Sequence, residues 1–280
     1  MNSKTLKDSL IGLFLGTTIM SAAYYLIPQD SINKMFPNSP IETVIFLSSV
    51  ILCPFFAIFI HELGHLTAGL AQGFRFQLFV VAFLGIKKED GKVQYYFNKD
   101  FQFFGGVAAT SAKYITNELR NQYARIMIAG PLFSLLFGIL FLYLFIVTNS
   151  IFNSCLGITG ITSVGLFFAT TIPEKVGMFF TDRKRMQRLL NKGITGEIEY
   201  CFLKTNSQLL IDNHYKNISI EDLKMIQSDD EPIIQFWGHY YEFKYFEEIG
   251  NEETAISIKN TLYLYKELLP KTFWKSLSIN

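Results

Sequence analysis

Two histidines and a glutamate in one short stretch are of the types and spacing that hold and use a metal ion. Positions 61–65 read HELGH, which matches the pattern H-E-x-x-H. On a helix, residues four apart lie on the same face, so His61 and His65 can reach one ion. Zinc suits two imidazoles, a carboxylate and a water molecule in a tetrahedral site. Glu62 lies nearby but is poorly placed as a ligand, so we predict that it takes a proton from the attacking water.

The surroundings of this motif favour a metal site over a chance match. The motif lies in an apolar stretch, residues 41–71, in which Glu42 and Glu62 are the only charged residues. A charge at the centre of a membrane helix costs about 2.5–3.5 kcal/mol on insertion scales. A bound metal ion compensates three neighbouring ionisable groups, whereas a chance match leaves them uncompensated.

A zinc site of this kind needs a third protein ligand at the same depth in the membrane. His214 and His239 lie in the polar C-terminal part of the chain, which makes them poor candidates. Asp182 closes a later apolar stretch and is the best carboxylate, and Glu174 is the other acid near that end. Because a basic run follows Asp182, a solvated acid explains it equally well, and spacing alone leaves the third ligand open.

The elements that would position these residues are apolar. Half of the 280 residues are hydrophobic, and 18% are charged, against roughly 25% in a soluble domain. Charged residues concentrate in the last third. We predict a mainly α fold, namely a polytopic membrane protein with about four transmembrane helices and a C-terminal, mainly helical soluble appendage. The predicted apolar spans are residues 9–27, 41–71, 126–147 and 155–172.

The first apolar stretch and the glycine-rich segment need separate interpretations. Residues 9–27 form a stretch of roughly 19, longer than the 7–15 apolar residues of a signal peptide, so we favour a retained span. Residues 74–107 partly alternate between apolar and polar side chains and contain Gly91, Gly105 and Gly106. This pattern predicts short strands with turns in a small membrane-associated β region.

Charge and cysteine content narrow the partners and the orientation. The net charge of +1 gives no reason to expect nucleic-acid binding, and three distant cysteines form no disulfide framework.

Lys4 and Lys7 precede the first span, which places the N-terminus in the cytoplasm. The turn near Asn149 has no basic residue and is predicted to be external. Four spans then put both termini, and the three candidate ligands, on the cytoplasmic side.

The predicted domains are a membrane-embedded part, residues 1–192, and a cytosolic part, residues 193–280. The second contains enough apolar side chains for a small core and a plausible amphipathic helix at 252–269. We expect it to govern regulation or partner choice, through a regulator that binds there. On this interpretation, removing it leaves zinc binding intact.

Three segments resemble the site-2 protease family of intramembrane zinc metallopeptidases, peptidase family M50. They are FIHELGH at 59–65, AGPLFS at 129–134, and a segment from Ile172-Pro173 to Thr181-Asp182 with Gly177 between. Order and spacing agree over roughly residues 55–190, and the region after about 193 lies outside the resemblance. The resemblance implies that His61, His65 and Asp182 bind one zinc ion per chain and that Glu62 is the catalytic base.

The resemblance has one further correspondence and three departures. Gly105 and Gly106 correspond to the strand and loop that hold the substrate extended beside the metal, unless they form a plain turn. Arg183 stands where the family has glycine, and Thr170 and Ser134 stand where it has asparagine. The missing asparagines bring substrate positioning or oxyanion stabilisation into question.

The resemblance implies an intramembrane zinc metalloprotease that hydrolyses peptide bonds of a membrane-spanning protein or a short hydrophobic peptide in the lipid bilayer. A catalytically inactive membrane protein that binds peptides or metal is the alternative. The three departures favour the alternative. Glu62 opposes it, because a protein that only carries metal has no need of an acid between the two histidines.

Overall fold

The computed structural model describes residues 28–89, 91–100, 103–176 and 179–269, together with single positions at 18, 21, 25, 274, 275, 277 and 279. These residues are mostly helical, which confirms the mainly α class. The first predicted span, residues 9–27, lies outside the described residues except at three positions and stays a prediction.

The chain divides into two compact units, each made of segments that are distant in sequence. None of the boundaries between these segments falls at residue 192, and the predicted division into residues 1–192 and 193–280 stays a prediction. The first unit comprises Met1–Thr67, Leu78–Ala108 and Ala129–Thr171; the second comprises Ala68–Gln77, Ala109–Ile128 and Ile172–Asn280.

Among the residues that the structure describes, three helices are long and apolar enough to cross a membrane. In each, no more than 28% of the most apolar window is buried, so most of that window is left for lipid. They match the second, third and fourth predicted spans. A short helix, α1 (Gln29–Asn33), precedes the three, which are α2 (Pro40–Ala71), α3 (Leu119–Val147) and α4 (Asn153–Thr171).

Helix α3 begins earlier than the sequence suggested. The predicted span began at residue 126, but residues 119–125 continue directly into the apolar part of α3. No glycine or proline interrupts residues 119–129, so nothing ends the helix where its composition becomes apolar.

The predicted β region is a small sheet of four strands. Neighbours β1 and β2 are antiparallel, as are β2 and β3, and Gly91 with a φ of +77° forms the turn between β2 and β3. The strands are β1 (Arg75–Val81), β2 (Leu84–Glu89), β3 (Lys92–Phe97) and β4 (Val107–Ser111), in the spatial order β3-β2-β1-β4.

After α4 the chain forms a two-stranded hairpin and a series of helices. The hairpin was not predicted, whereas the helical character of the C-terminal region was. The fully buried side chains of Leu223, Ile226, Phe236 and Leu262 lie in its core. The hairpin strands are β5 (Lys175–Val176) and β6 (Phe179–Phe180), and the helices are α5 (Asp182–Leu189), α6 (Ile194–Asp212), α7 (Ile220–Gln227), α8 (Pro232–Glu248) and α9 (Glu252–Tyr263).

Candidate active site

The HELGH motif lies in the C-terminal half of α2, and its ionisable side chains are buried. His61, Glu62 and His65 are each less than 10% exposed. The helix brings the two imidazoles together, so that their Nε2 atoms lie 3.2 Å apart and their ring planes are inclined at 83°. One turn of α2 therefore presents two nitrogen ligands to one point.

The donor set fits a zinc ion. Two nitrogens bound to one tetrahedral zinc at about 2.0–2.1 Å each lie roughly 3.3–3.4 Å apart, close to the separation seen here. The third ligand that the resemblance implies is the carboxylate of Asp182. Two imidazoles and one carboxylate leave a fourth position open, as in catalytic rather than structural zinc sites.

Ser134 on α3 contacts the first histidine. Its hydroxyl Oγ lies 2.9 Å from Nδ1 of His61, and the side chain is completely buried. When Nδ1 carries the proton, it donates to Ser134, and the lone pair of Nε2 is left for a metal ion. The sequence marked Ser134 only as a departure from the family. Its place in the AGPLFS segment was the one signal that pointed to the site.

We expect Ser134→Ala to weaken zinc binding by about tenfold, because the His61 ring loses the partner that fixes its tautomer and orientation. Competition with a chromogenic chelator measures this. Ser163→Ala on α4 is the matched control, since Ser163 is equally buried and its hydroxyl has no hydrogen-bond partner among the described residues. Equal zinc affinity in the two variants would exclude a positioning role for Ser134.

Two glycines let α2 and α3 approach closely beside the histidines. A Cβ atom on Gly64 would lie 2.6 Å from the carbonyl oxygen of Ala129, and one on Gly130 would lie 2.3 Å from Nε2 of His65. Small residues are what permit such backbone contact between membrane helices. The AGPLFS segment thus provides the space in which the His65 ring lies.

The loop before β4 lies against the carboxylate of Glu62. Gly106 has a φ of +94°, and a Cβ atom there would lie 2.6 Å from Oε1 of Glu62 and 2.7 Å from Cγ2 of Ile58. At Gly105, by contrast, an added Cβ meets nothing within 4 Å. Gly106 therefore permits a close approach to Glu62, and β4 begins at the next residue.

Asp182 is the first residue of α5, directly after its N-cap residue Thr181. Two of the departures from the family pattern, Thr170 and Arg183, lie near Asp182 in the sequence. Thr170 uses its hydroxyl within α4, where it donates to the carbonyl of Leu166 at 3.0 Å, and Arg183 is exposed. The Thr170 hydroxyl therefore does not take the place of the asparagine amide that the family has at this position.

The other candidates for the third ligand are Glu174, His214 and His239. Glu174 is exposed at the start of the hairpin. Nδ1 of His214 lies 2.6 Å from Glu248, and His239 lies on α8, where burial lowers its pKa. These surroundings give no support to Glu174, His214 or His239 as the third ligand.

Comparison with known protein families finds a match to peptidase family M50 over residues 49–271. The match extends well past residue 193, so the expectation that the C-terminal region lies outside the family pattern was wrong. No curated protein and no solved structure matches the chain.

Proposed function

The chain belongs to peptidase family M50, the site-2 protease family of membrane-embedded metalloproteases, and from this we propose that it is an intramembrane zinc protease. One observation carries the proposal. The buried Nε2 atoms of His61 and His65 lie 3.2 Å apart, close to the separation that one tetrahedral zinc ion requires. One zinc ion per chain is the expected cofactor.

His61, His65 and Asp182 would hold the ion, and Glu62 would act as the base. Zinc, when bound, polarises the scissile carbonyl and makes water acidic enough to attack near neutral pH. Glu62 takes the proton from that water and passes it to the leaving amine. Burial of Glu62 among apolar helices strengthens its interactions with developing charge, because few water molecules screen them.

The substrate we propose is a membrane-spanning protein or a short hydrophobic peptide. A peptide bond in a membrane helix is shielded by the hydrogen bonds of that helix, so the substrate must be extended before cleavage. Strand β4 begins beside Glu62 and stands last in the order β3-β2-β1-β4 among the described strands. An extended segment added along β4 would bring its backbone to the base.

The competing proposal is a membrane protein that binds peptide or metal without catalysis. Thr170 and Ser134 favour it, because neither can supply the amide group of the family's asparagines. The Glu62 carboxylate, buried next to both histidines, supports the protease.

Mass spectrometry of membrane peptides from cells with the wild-type chain and with Glu62→Gln separates the two proposals. A protease yields a cleavage product that disappears in Glu62→Gln, because the amide cannot accept the proton from water. The product also identifies the cleaved bond. If both strains have the same peptides and the same phenotype, the result supports the protein that binds peptide or metal without catalysis.

For orientation, we propose that both termini are cytoplasmic, as the distribution of basic residues indicates. A reporter fused after Leu190 should then be cytoplasmic, and one inserted near Asn149 should be external. The opposite result at either position would require another arrangement of the spans.

A further inference from the structure

The segment that carries Asp182 is a hairpin followed by a short helix. Lys175 pairs with Phe180 across the hairpin, and Thr181 closes it. The Thr181 amide donates to the carbonyl of Glu174 at 3.0 Å, and its hydroxyl donates to the carbonyl of Ile172 at 2.7 Å. Asp182 therefore lies at the junction of the hairpin and α5.

Helix α5 has only 8 residues, and an isolated helix of that length is not stable in water. Contacts with the rest of the protein must therefore set its direction. Leu189 at its C-terminal end is fully buried and packs in a cluster with Leu203 of α6.

A buried ionic network holds the same end of α5. Nε of Arg188 donates to Oε2 of Glu199 at 3.1 Å, and its guanidinium also pairs with Asp229. Arg185 donates to the other oxygen of Glu199 at 3.0 Å. Glu199 is 1% exposed and Asp229 is 2% exposed. Burial lowers the pKa of Arg188, but the two carboxylates outweigh burial and raise it above its ordinary value.

The hairpin is held by the neighbouring stretch of chain. Lys175 forms a salt bridge with Glu231, and both side chains are only partly exposed. The backbone amide of Glu231 donates to Oδ1 of Asp229 at 2.7 Å. The guanidinium of Arg188 lies 4.8 Å from the centre of the Phe180 ring. Residues 229–231 thus contact the chain on both sides of Asp182.

We propose that Arg188 and Lys175 are positioning residues, through which α6 and residues 229–231 hold Asp182 in place for zinc. The inference rests on the proposed function, since it assigns the C-terminal helices a part in the metal site. The sequence led to the opposite expectation, in which residues 193–280 can be removed without effect on zinc. A partner that shifts residues 229–231 would then act on the metal ligand directly.

The test measures zinc affinity of the full-length protein in lipid nanodiscs by chelator competition. We expect Arg188→Met to weaken zinc binding by about tenfold or more, in the range seen for residues that orient ligands. Arg183→Met is the matched control on the same helix, because Arg183 is exposed. It should keep the wild-type affinity.

A double-mutant cycle separates positioning from general loss of stability. In an Asp182→Ala background, Arg188→Met should cause no further loss of affinity, because the ligand that it positions is already absent. Equal losses in both backgrounds, or wild-type affinity in Arg188→Met, would overturn the proposal. A wild-type chain that binds no zinc would instead refute the proposed function.

A second pair keeps the test decisive if Arg188→Met fails to fold. Lys175→Glu places two carboxylates together and should weaken zinc binding by about tenfold, whereas the exchange Lys175→Glu with Glu231→Lys should restore it. Unchanged affinity in Lys175→Glu, or no recovery in the exchange, contradicts the proposal.

Discussion

Replacing His61 or His65 with alanine should reduce zinc from about one ion per chain to a trace and abolish proteolysis. Each change removes one of the two imidazoles whose Nε2 atoms lie 3.2 Å apart. Only two protein ligands then remain, and water fills the other two positions. A zinc ion held by two protein ligands is bound weakly. Elemental analysis of the purified protein by inductively coupled plasma mass spectrometry gives the metal content directly.

His239→Ala is the matched control, because His239 lies on α8 outside the ligand group and should keep full zinc content. Asp182→Ala should also weaken zinc retention and remove activity, whereas Arg183→Gly should not. Full occupancy in the His61→Ala, His65→Ala double variant would end the assignment. Normal zinc and cleavage in Asp182→Ala would mean that another residue is the third ligand.

The sequence predicted those features that depend on local spacing. The i and i+4 positions of His61 and His65 define a helix face without knowledge of the rest of the chain. Long apolar stretches predicted α2, α3 and α4 for the same reason, since the bilayer sets the length of a span. The start of α3 was misplaced because a change from polar to apolar composition does not mark the beginning of a helix.

Contacts between distant segments could not be predicted in this way. Ser134 follows His61 by 73 positions, and no periodicity in α3 indicates which of its residues faces that ring. The glycines at 64 and 130 carried a motif resemblance, but only the packing of the two helices shows that Gly64 makes room for α3 and Gly130 for His65.

The basic run after Asp182 illustrates the same limit. In the sequence it is one cluster of basic residues, namely Arg183, Lys184, Arg185 and Arg188. The structure separates them, because Arg183 is exposed whereas Arg188 is buried between Glu199 and Asp229. Composition gives the number of charges near a span, but the pairing of Arg188 with carboxylates 11 and 41 positions away depends on the tertiary fold.

Gly106→Ala should lower the rate of peptide hydrolysis by about a hundredfold, the loss that a misplacement of roughly 1 Å can cause in a catalytic group. The new Cβ would lie 2.6 Å from Oε1 and 2.7 Å from Cγ of Glu62, so the carboxylate must move. A φ of +94° further disfavours any residue other than glycine. Turnover of a purified peptide substrate and zinc content should be measured on the same sample, and zinc should stay near one per chain.

Gly105→Ala is the matched control, one position earlier in the same loop. An added Cβ there meets nothing within 4 Å, so we expect a rate close to that of the wild type. The pair decides between the two interpretations that the sequence left open for these glycines. If only Gly106→Ala loses activity with zinc retained, the loop sets the position of the base where β4 begins. If Gly106→Ala keeps a rate close to that of the wild type, as Gly105→Ala does, the loop is a plain turn, and its approach to Glu62 has no part in catalysis.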